Sequence, residues 1–172
     1  MFMTVDLTAI KESRAAFNFS VAPSEIDLKS ETAKVKNTVR VEAELKKGIA
    51  QTDVKGRIFT DLEIECSRCL ELVEQRFEIP FSAAFVTPEN YTEAKEAELK
   101  SDDLDVSIFE GDRIDLTELV REQILLVVPT QVFCREDCKG LCEKCAANRN
   151  LIDCNCEEKE IDPRWAALQN LK

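Results

Sequence analysis

The 172-residue sequence contains no histidine and only four glycines. Without histidine, the chain lacks the commonest general base and every Cys–His or Ser–His pair that activates a catalytic nucleophile. No HExxH motif is present, and the glycines do not form a phosphate-binding loop. The sequence therefore indicates a protein that is not an enzyme, with no catalytic residues and no small-molecule substrate.

Long hydrophobic runs are also absent. The N-terminal stretch MFMTVDLTAIKESRAAF has no apolar core behind basic residues, unlike a secretory signal. No apolar run approaches the roughly 20 residues that span a bilayer. We therefore expect a soluble protein of a reducing cytosol or organelle matrix, with no membrane partner. In such a compartment, cysteines point to metal binding or catalysis before disulfides.

The remaining composition is that of a globular protein, with 44% hydrophobic residues, 33% charged residues and a formal net charge of −11. A chain of this length can bury one core and carry a small appendage. Residues 1–130 hold the regular apolar patterns and are predicted to form the core domain. Residues 131–172 are predicted to form a cysteine-rich tail.

Apolar residues alternate with polar ones in three runs, which is the period of half-buried antiparallel strands. The second and third runs flank the segment CSRC and predict a hairpin with residues 66–69 at its tip. Residues 17–21 and 106–109 predict two further strands, with turns at 46–48 and 110–112. The alternating residues are Val35, Val39, Val41, Ala43 and Leu45, then Ile58, Leu62, Ile64 and Cys66, then Val73, Phe77, Ile79, Phe81 and Phe85.

The segment IDLTELVREQILLVVP predicts the clearest helix. Asp115 is expected to cap its N-terminus, and Glu118, three residues later, is expected to complete a capping box. Pro129 is expected to end the helix. Its apolar stripe consists of Leu116, Leu119, Val120, Ile124 and Val127.

Two further segments have weaker patterns. The acidic segment 89–105 lacks periodicity and is predicted to be a solvated loop. A short helix is predicted at the C-terminus, where Asp162 caps it and Pro163 occupies the first turn. Its apolar face consists of Trp165, Leu168 and Leu171.

Eight cysteines form four close pairs, two of which are CxxC motifs. Zinc prefers four soft ligands in a tetrahedron, and CxxC in a tight turn directs both sulfurs to one point. With no histidine available, a zinc site here must consist of cysteines, alone or with a carboxylate. The pairs are Cys66/Cys69, Cys134/Cys138, Cys142/Cys145 and Cys154/Cys156.

Sequence order favours two zinc sites. The last four cysteines are close enough to form a self-contained site, which leaves the hairpin tip to combine with the two cysteines that follow the helix. A different grouping of four cysteines into one site is also possible, and the chain is expected to hold either one zinc ion or two. Because four thiolates leave no open coordination position, the zinc is expected to be structural. The alternative site consists of Cys134, Cys138, Cys142 and Cys145.

Redox chemistry is the competing interpretation of the CxxC motifs. A thioredoxin-like CxxC lies at a helix N-terminus in a βαβ unit. Cys66 is instead predicted to end one strand just before another begins. Because Cys66 also shares the apolar face of its strand, a buried free cysteine is a further alternative at that position.

The chain from about residue 57 onward carries the stretches CSRCLE, DLTELVREQILLVVP, CKGLCEKCAANRNLIDCNCE and DPRWAALQNLK. Together they resemble the bacterial and plastid YceD family, the large ribosomal RNA subunit accumulation proteins. The resemblance implies a role in the synthesis, processing or stability of large-subunit (23S-type) ribosomal RNA, with no established catalytic activity. It also implies a location in the bacterial cytoplasm.

The second CxxC turn departs from that family's usual CPKCGANLN. Glu143, Ala146 and Arg149 stand where proline, glycine and leucine are typical. Glycine after CxxC relieves a left-handed backbone that alanine tolerates poorly. Ala146 is therefore expected to strain this turn.

Three functions remain to be distinguished. The favoured one is a non-enzymatic assembly factor that contacts ribosome-assembly proteins or a basic ribosomal protein. The second is direct binding of ribosomal RNA, in which basic side chains neutralise phosphates. The third is a thiol-disulfide redox protein or other enzyme, against which the missing histidine argues. The candidate RNA-binding residues are Lys34, Lys36, Arg40, Lys46, Lys47, Lys55 and Arg57, together with Arg149.

Net charge favours the protein-contact hypothesis. Two zinc–thiolate sites would take the formal charge from −11 to about −15, and such a molecule repels RNA at long range. The predicted fold class is α+β, with an antiparallel sheet, one packed helix and a zinc-bound cysteine-rich tail. Whether the sheet closes into a barrel is left open.

Overall fold

A computed structural model describes residues 3–10, 12–94 and 106–156. β-Strands are the main regular structure of these residues, together with two α-helices and a 3-10 turn at Pro23–Glu25. None of the described helices is long and apolar enough to cross a membrane. The elements are β1 Thr4–Asp6, β2 Arg14–Val21, β3 Ala33–Val35, β4 Val39–Lys47, β5 Gln51–Glu65, β6 Leu72–Val86, α1 Pro88–Ala94, β7 Val106–Ile108, β8 Arg113–Asp115 and α2 Thr117–Val127.

The larger sheet has six strands in the order β2-β4-β5-β6-β7, with β3 also paired to β5. Its pairs are antiparallel except for β6 and β7, which run parallel. Within the described residues the sheet is open, so the barrel arrangement is not adopted. Closure would require the eight-residue edge strand β2 to pair with β7, which has only three residues. β1 and β8 form a separate two-stranded sheet.

The predicted hairpin is the longest feature of the fold. β5 and β6 pair over fifteen positions, from Gln51 with Val86 to Glu65 with Leu72, and leave residues 66–71 at the tip. Its predicted apolar face is correct, since Ile58 and Leu62 are completely buried. The hairpin therefore carries the CSRC segment at the far end of the sheet from α1.

The predicted first strand is in fact two strands. β3 and β4 both pair with β5, but residues 36–38 leave the ladder opposite Asp61. The backbone N–H of Lys36 and the side chain of Asn37 bond to Asp61 there, at 2.9 and 3.0 Å. The turn predicted at 46–48 lies at 48–50 instead, because Lys46 and Lys47 still pair with β5.

Helix α2 covers the inner face of the sheet with the predicted stripe. Val120 and Ile124 are fully buried, and the helix ends two residues before Pro129. The predicted capping box does not form. Asp115 accepts a hydrogen bond from the Thr117 N–H at 2.8 Å, but Glu118 bonds to Arg121 instead of reaching back to the helix start.

The acidic segment was predicted to be a loop from residue 89, and its beginning is wrong. Residues Pro88–Ala94 form α1, because proline in the first turn and Glu89 near the helix N-terminus both favour helix initiation. Residues 95–105 lie outside the described part of the chain. The predicted C-terminal helix with Asp162, Pro163, Trp165, Leu168 and Leu171 lies outside it as well.

Candidate metal centres

Four cysteines converge where the tip of the β5–β6 hairpin meets the segment after α2. We call Cys66, Cys69, Cys134 and Cys138 the first cluster; its sulfurs all lie within 4.8 Å of one another. The Sγ atoms of Cys66 and Cys138 are 3.9 Å apart, and those of Cys69 and Cys134 are 3.5 Å apart. Four sulfurs around an ion with bonds of about 2.3 Å form a tetrahedron with edges of about 3.8 Å. The first cluster can therefore hold a four-coordinate metal ion.

The remaining cysteines form the second cluster, Cys142, Cys145, Cys154 and Cys156, whose sulfurs also lie within 4.8 Å of one another. This grouping follows the favoured sequence prediction, and the alternative set of Cys134, Cys138, Cys142 and Cys145 is not brought together. The clusters differ in exposure. In the first, three of four cysteines are buried; in the second, two are exposed and two half-buried.

The first CxxC motif lies in a tight turn at the end of the hairpin. The Cys66 N–H donates to the Glu71 carbonyl at 2.8 Å, and the Leu70 N–H donates to the Cys66 carbonyl at 3.0 Å. Leu70 closes the turn with a left-handed backbone, at φ 61°. Both thiols of the motif are thereby directed to one point.

The second CxxC motif repeats this turn. The Cys142 N–H donates to the Ala147 carbonyl at 2.8 Å, and the Ala146 N–H donates to the Cys142 carbonyl at 2.9 Å. The flanking residues Leu141 and Asn148 are paired as an antiparallel bridge. Ala146 has φ 55°, the left-handed conformation expected from the sequence.

Replacing Ala146 with glycine is expected to stabilise the second turn by about 0.5–1 kcal/mol. A left-handed alanine costs about 1–2 kcal/mol, of which the greater backbone freedom of unfolded glycine cancels part. The chelator concentration that releases half of the metal should rise. Ala147→Gly is the matched control, because Ala147 is not left-handed and glycine there should only weaken the turn. Equal midpoints for Ala146→Gly and wild type would contradict the expected strain.

Backbone N–H groups point at sulfur in both turns. Burial raises the pKa of the Cys66 thiol, but N–H donors, one of them from Cys134 at 3.4 Å, outweigh burial and lower that pKa to about 6. The N–H groups of Cys145 and Lys144 lower the pKa of Cys142 to about 6. Each cluster therefore contains a thiol that is deprotonated at neutral pH, which is the form that binds metal.

The two turns are joined by direct contacts. The Leu141 N–H donates to the Arg68 carbonyl at 3.0 Å. The Arg68 guanidinium donates to the Cys138 carbonyl at 3.0 Å and stacks over the Phe133 ring at 4.5 Å. Gly140 allows this approach, since a Cβ there would lie 3.0 Å from the Arg68 carbonyl oxygen and its φ is +71°. We refer to residues 66–71 and 132–156 together as the cysteine module.

Two asparagines of the loop between Cys145 and Cys154 contact the first cluster and its hairpin tip. The amide of Asn150 donates to the Cys138 sulfur at 3.3 Å, and the amide of Asn148 donates to the Glu71 carboxylate at 3.1 Å. The roles of Asn150 and Glu71 were not predicted from the sequence. Because the partners are 12 and 77 positions away, no local pattern could have identified them.

Exposed apolar side chains gather on the cysteine module. Leu70 and Leu72 at the hairpin tip are 57% and 60% exposed, and Leu151 and Ile152 after the second turn are 74% and 60% exposed. The Glu71–Asn148 hydrogen bond joins the two pairs, because Glu71 lies between the first two and the Asn148 carbonyl accepts from both Leu151 and Ile152. We call these four leucine and isoleucine residues the apolar patch.

The candidate RNA-binding residues do not form an uninterrupted basic track. Several are paired with carboxylates on the outer face of the larger sheet. Arg149 lies apart from them, in the cysteine module, and Lys47 donates to the Leu7 carbonyl at 3.3 Å. The remaining candidates, Lys34, Lys46 and Lys55, lie on strands that also carry acidic side chains. The ion pairs are Lys36 with Glu63 at 3.4 Å, Arg40 with Glu42 at 3.6 Å and Arg57 with Glu78 at 2.9 Å.

Comparison with known proteins identifies relatives in several organisms. The Bacillus subtilis protein YlbN, described as uncharacterized, is 31% identical over 155 residues, which cover 82% of this chain and 85% of YlbN. The Mycobacterium tuberculosis protein Rv2926c, also described as uncharacterized, is 30% identical over 67% of this chain and 53% of its own length. This chain therefore spans about half of the mycobacterial relative. No solved structure matches it significantly.

A plant relative carries a functional name. The Arabidopsis thaliana large ribosomal RNA subunit accumulation protein YCED homolog 1, chloroplastic, is 36% identical over 59 residues, or 34% of this chain and 18% of the plant protein. The family model for the large ribosomal RNA subunit accumulation protein YceD matches residues 54–172, which include both clusters. The chain therefore belongs to the YceD family of large ribosomal RNA subunit accumulation proteins.

Proposed function

We propose that this protein is a non-enzymatic factor that supports the synthesis, processing or stability of large-subunit ribosomal RNA through contacts with other proteins. Its family supports a role in ribosome biogenesis. The proposed location is the bacterial cytoplasm, and the proposed partner is a basic ribosomal or ribosome-assembly protein.

Both clusters are proposed to bind zinc. Their donor set is four thiolates, which suits a tetrahedral closed-shell ion, and the sulfur separations in the first cluster fit bonds of about 2.3 Å. Four protein ligands leave no coordination position for a water molecule or a substrate. Zinc would therefore supply folding energy to the cysteine module, and the chemistry at the metal would be structural rather than catalytic.

The apolar patch is the observation that supports protein contacts. Four of the eight large apolar side chains that are exposed in the described residues belong to residues next to Glu71 or bonded to Asn148, which are joined by a hydrogen bond. Exposed apolar side chains grouped in this way mark protein-interaction sites. The chain has a formal charge of −11, and zinc–thiolate centres beside the patch would make it more negative. A basic protein segment that presents apolar side chains complements both properties.

Changing the apolar patch is expected to weaken partner binding at least 10-fold. The variant is Leu151→Ser with Ile152→Ser, and the matched control is Ile49→Ser with Ile108→Ser, because these two isoleucines are also exposed but lie outside the patch. The measurement is capture of ribosomal proteins from RNase-treated lysate, followed by the affinity of the purified basic partner. Equal affinity of both variants and wild type would contradict binding through the patch.

RNA binding is tested separately with purified protein. Filter binding to structured large-subunit RNA at several salt concentrations should show weak affinity, because phosphates repel an acidic chain. A steep salt dependence that Lys46→Glu with Lys47→Glu abolishes would contradict the protein-contact proposal. It would establish the basic side chains of β4 as an RNA interface.

A further inference from the structure

The loop of the second cluster reaches into the first cluster. Residues 146–153 lie between the second-cluster ligands Cys145 and Cys154, and Asn150 lies within that loop. The Asn150 amide donates to the Cys138 sulfur at 3.3 Å, and its Oδ1 accepts from the Lys139 N–H at 2.8 Å. Cys138 is only 4% exposed. A side chain held by one cluster is therefore a hydrogen-bond partner of a buried sulfur in the other.

A second asparagine strengthens this connection. Asn148 Oδ1 accepts from the Asn150 N–H at 2.9 Å, which fixes the backbone from which the Asn150 side chain extends. The Asn148 amide donates to the Glu71 carboxylate at 3.1 Å. The other oxygen of Glu71 lies 3.7 Å from the Cys69 sulfur. The loop thus contacts the surroundings of both Cys138 and Cys69.

Hydrogen bonds of this kind matter most at a buried thiolate centre. Four thiolates around a dication carry a net charge of −2, and burial makes that charge costly unless N–H donors stabilise it. Outer-shell partners of metal ligands typically contribute 10–100-fold in affinity. Asn150 can contribute only while its loop is ordered, and an ion at the second cluster fixes the loop at both ends.

We propose that the two clusters are coupled, so that an ion in the second cluster raises the affinity of the first cluster through Asn148 and Asn150. This inference rests on the proposed function in one respect, which is that both clusters hold zinc. Linkage is reciprocal, so an ion in the first cluster raises the affinity of the second by the same factor. Because Cys145 and Cys156 are exposed, the second ion leaves first, and its loss accelerates loss of the buried ion.

The test is zinc release from the full chain into excess chelator. Wild type is expected to carry two ions and to release them in a fast and a slow phase. Asn150→Asp keeps an oxygen for the Lys139 N–H but replaces the N–H donor with an anionic oxygen facing Cys138 sulfur. The fast phase should become at least 10-fold faster, because it is the release of the second ion from a chain whose first cluster is still occupied. Gln131→Glu is the matched control, since Gln131 is exposed, near Cys134, and makes no side-chain hydrogen bond within the described residues.

A second variant keeps the test decisive if Asn150→Asp fails to fold. Cys66→Ser with Cys69→Ser removes the first ion, and the remaining ion should then leave at least 10-fold faster than in the fast phase of wild type. An unchanged rate would overturn the coupling, as would a fast phase unaffected by Asn150→Asp. A wild-type chain without metal would overturn the zinc proposal itself, and metal content separates that result from a failure of coupling alone.

Cobalt substitution distinguishes a bond to sulfur from a general loss of structure. In the Co²⁺-loaded chain, removing an N–H donor leaves the Cys138 thiolate more electron-rich. Its thiolate-to-cobalt charge-transfer absorption should therefore move to longer wavelength in Asn150→Asp and stay in place in Gln131→Glu. The d–d bands of tetrahedral cobalt should keep their intensity in both variants. An unmoved charge-transfer band would contradict the role of Asn150.

Discussion

Removing the ion from the first cluster is expected to unfold residues 133–156 and to loosen the hairpin tip, while the rest of the sheet stays folded. The hydrophobic core supports this expectation because it divides into two clusters of buried residues. The main core contains no cysteine and includes residues from both sheets and α2. The second consists of Cys66, Cys69 and Cys138, with Val73 and Leu141 packed against them among others. Once the metal is lost, almost no apolar burial remains to order the module.

The expected loss of folding free energy in the cysteine module is large. Structural zinc contributes on the order of 10 kcal/mol to the folding of small zinc peptides, whereas a whole domain is stable by only about 5–15 kcal/mol. Cys138→Ser should have the same local effect as chelation, because three thiolates and a hydroxyl leave one ligand weak and buried. The variant is expected to lose the first ion and to bind the second more weakly.

Hydrogen exchange measures this local unfolding directly. Amide protection should disappear in residues 133–156 after chelation, including the Cys142 and Arg149 amides that bond within the module. Protection at the base of the hairpin, such as the Val54 and Ile58 amides, is the internal control and should persist. A metal-free chain that keeps its protection in 133–156 would contradict a structural role for the ion and would favour the redox interpretation of the CxxC motifs.

The sequence predicted features whose signals are local. The alternation of apolar residues identified β5 and β6, and the CxxC spacing identified two tight turns with their thiols on one side. The left-handed Ala146 also followed from a single position in the turn. In each case the residues that determine the structure lie within a few positions of one another, so no knowledge of the rest of the fold was needed.

Features that depend on distant partners were missed or wrong. β1 and β8 are three residues each, and they form because Thr4 and Asp115, 111 positions apart, pair across the fold. The break between β3 and β4 exists because Asp61 on the neighbouring strand binds residues 36 and 37. The failed capping box has a local cause instead, because Arg121, three residues along, competes for the carboxylate of Glu118.

The outer face of the larger sheet also differs from what the sequence predicted. Read along the chain, lysine and arginine on β4 and β5 form a basic stretch. In the fold, Glu42 lies beside Arg40 on the same face of β4, and β6 places Glu78 beside Arg57. Exposed pairs like these contribute little to stability, but they cancel the local positive charge that an RNA backbone would need. This local neutralisation favours the proposed protein contacts over direct RNA binding.

Replacing Gly56 with alanine is expected to destabilise the sheet by about 3 kcal/mol. Gly56 lies on the inner face of β5, paired with Ala43 on β4 and Phe81 on β6. A Cβ there would lie 2.2 Å from the Glu42 carbonyl oxygen, 2.9 Å from the Phe81 ring and 3.0 Å from the Ala43 Cα. Two of these contacts are with backbone, so rotation of a side chain cannot relieve them. β4 and β5 must separate, which weakens their ladder.

Urea denaturation of the zinc-loaded chain measures this loss as a lower midpoint. Gly56→Ala with Phe81→Leu separates the contributions, because the second change removes the ring contact and leaves the carbonyl contact in place. The urea midpoint of the double variant is therefore expected to rise only part of the way back to the wild-type value. Gly111→Ala is the control, since its φ of +73° adds strain of about 1–2 kcal/mol while no atom lies within 4 Å of the new Cβ. If Gly56→Ala were no more destabilising than Gly111→Ala, β4 and β5 would have to lie farther apart at this position than the structure shows.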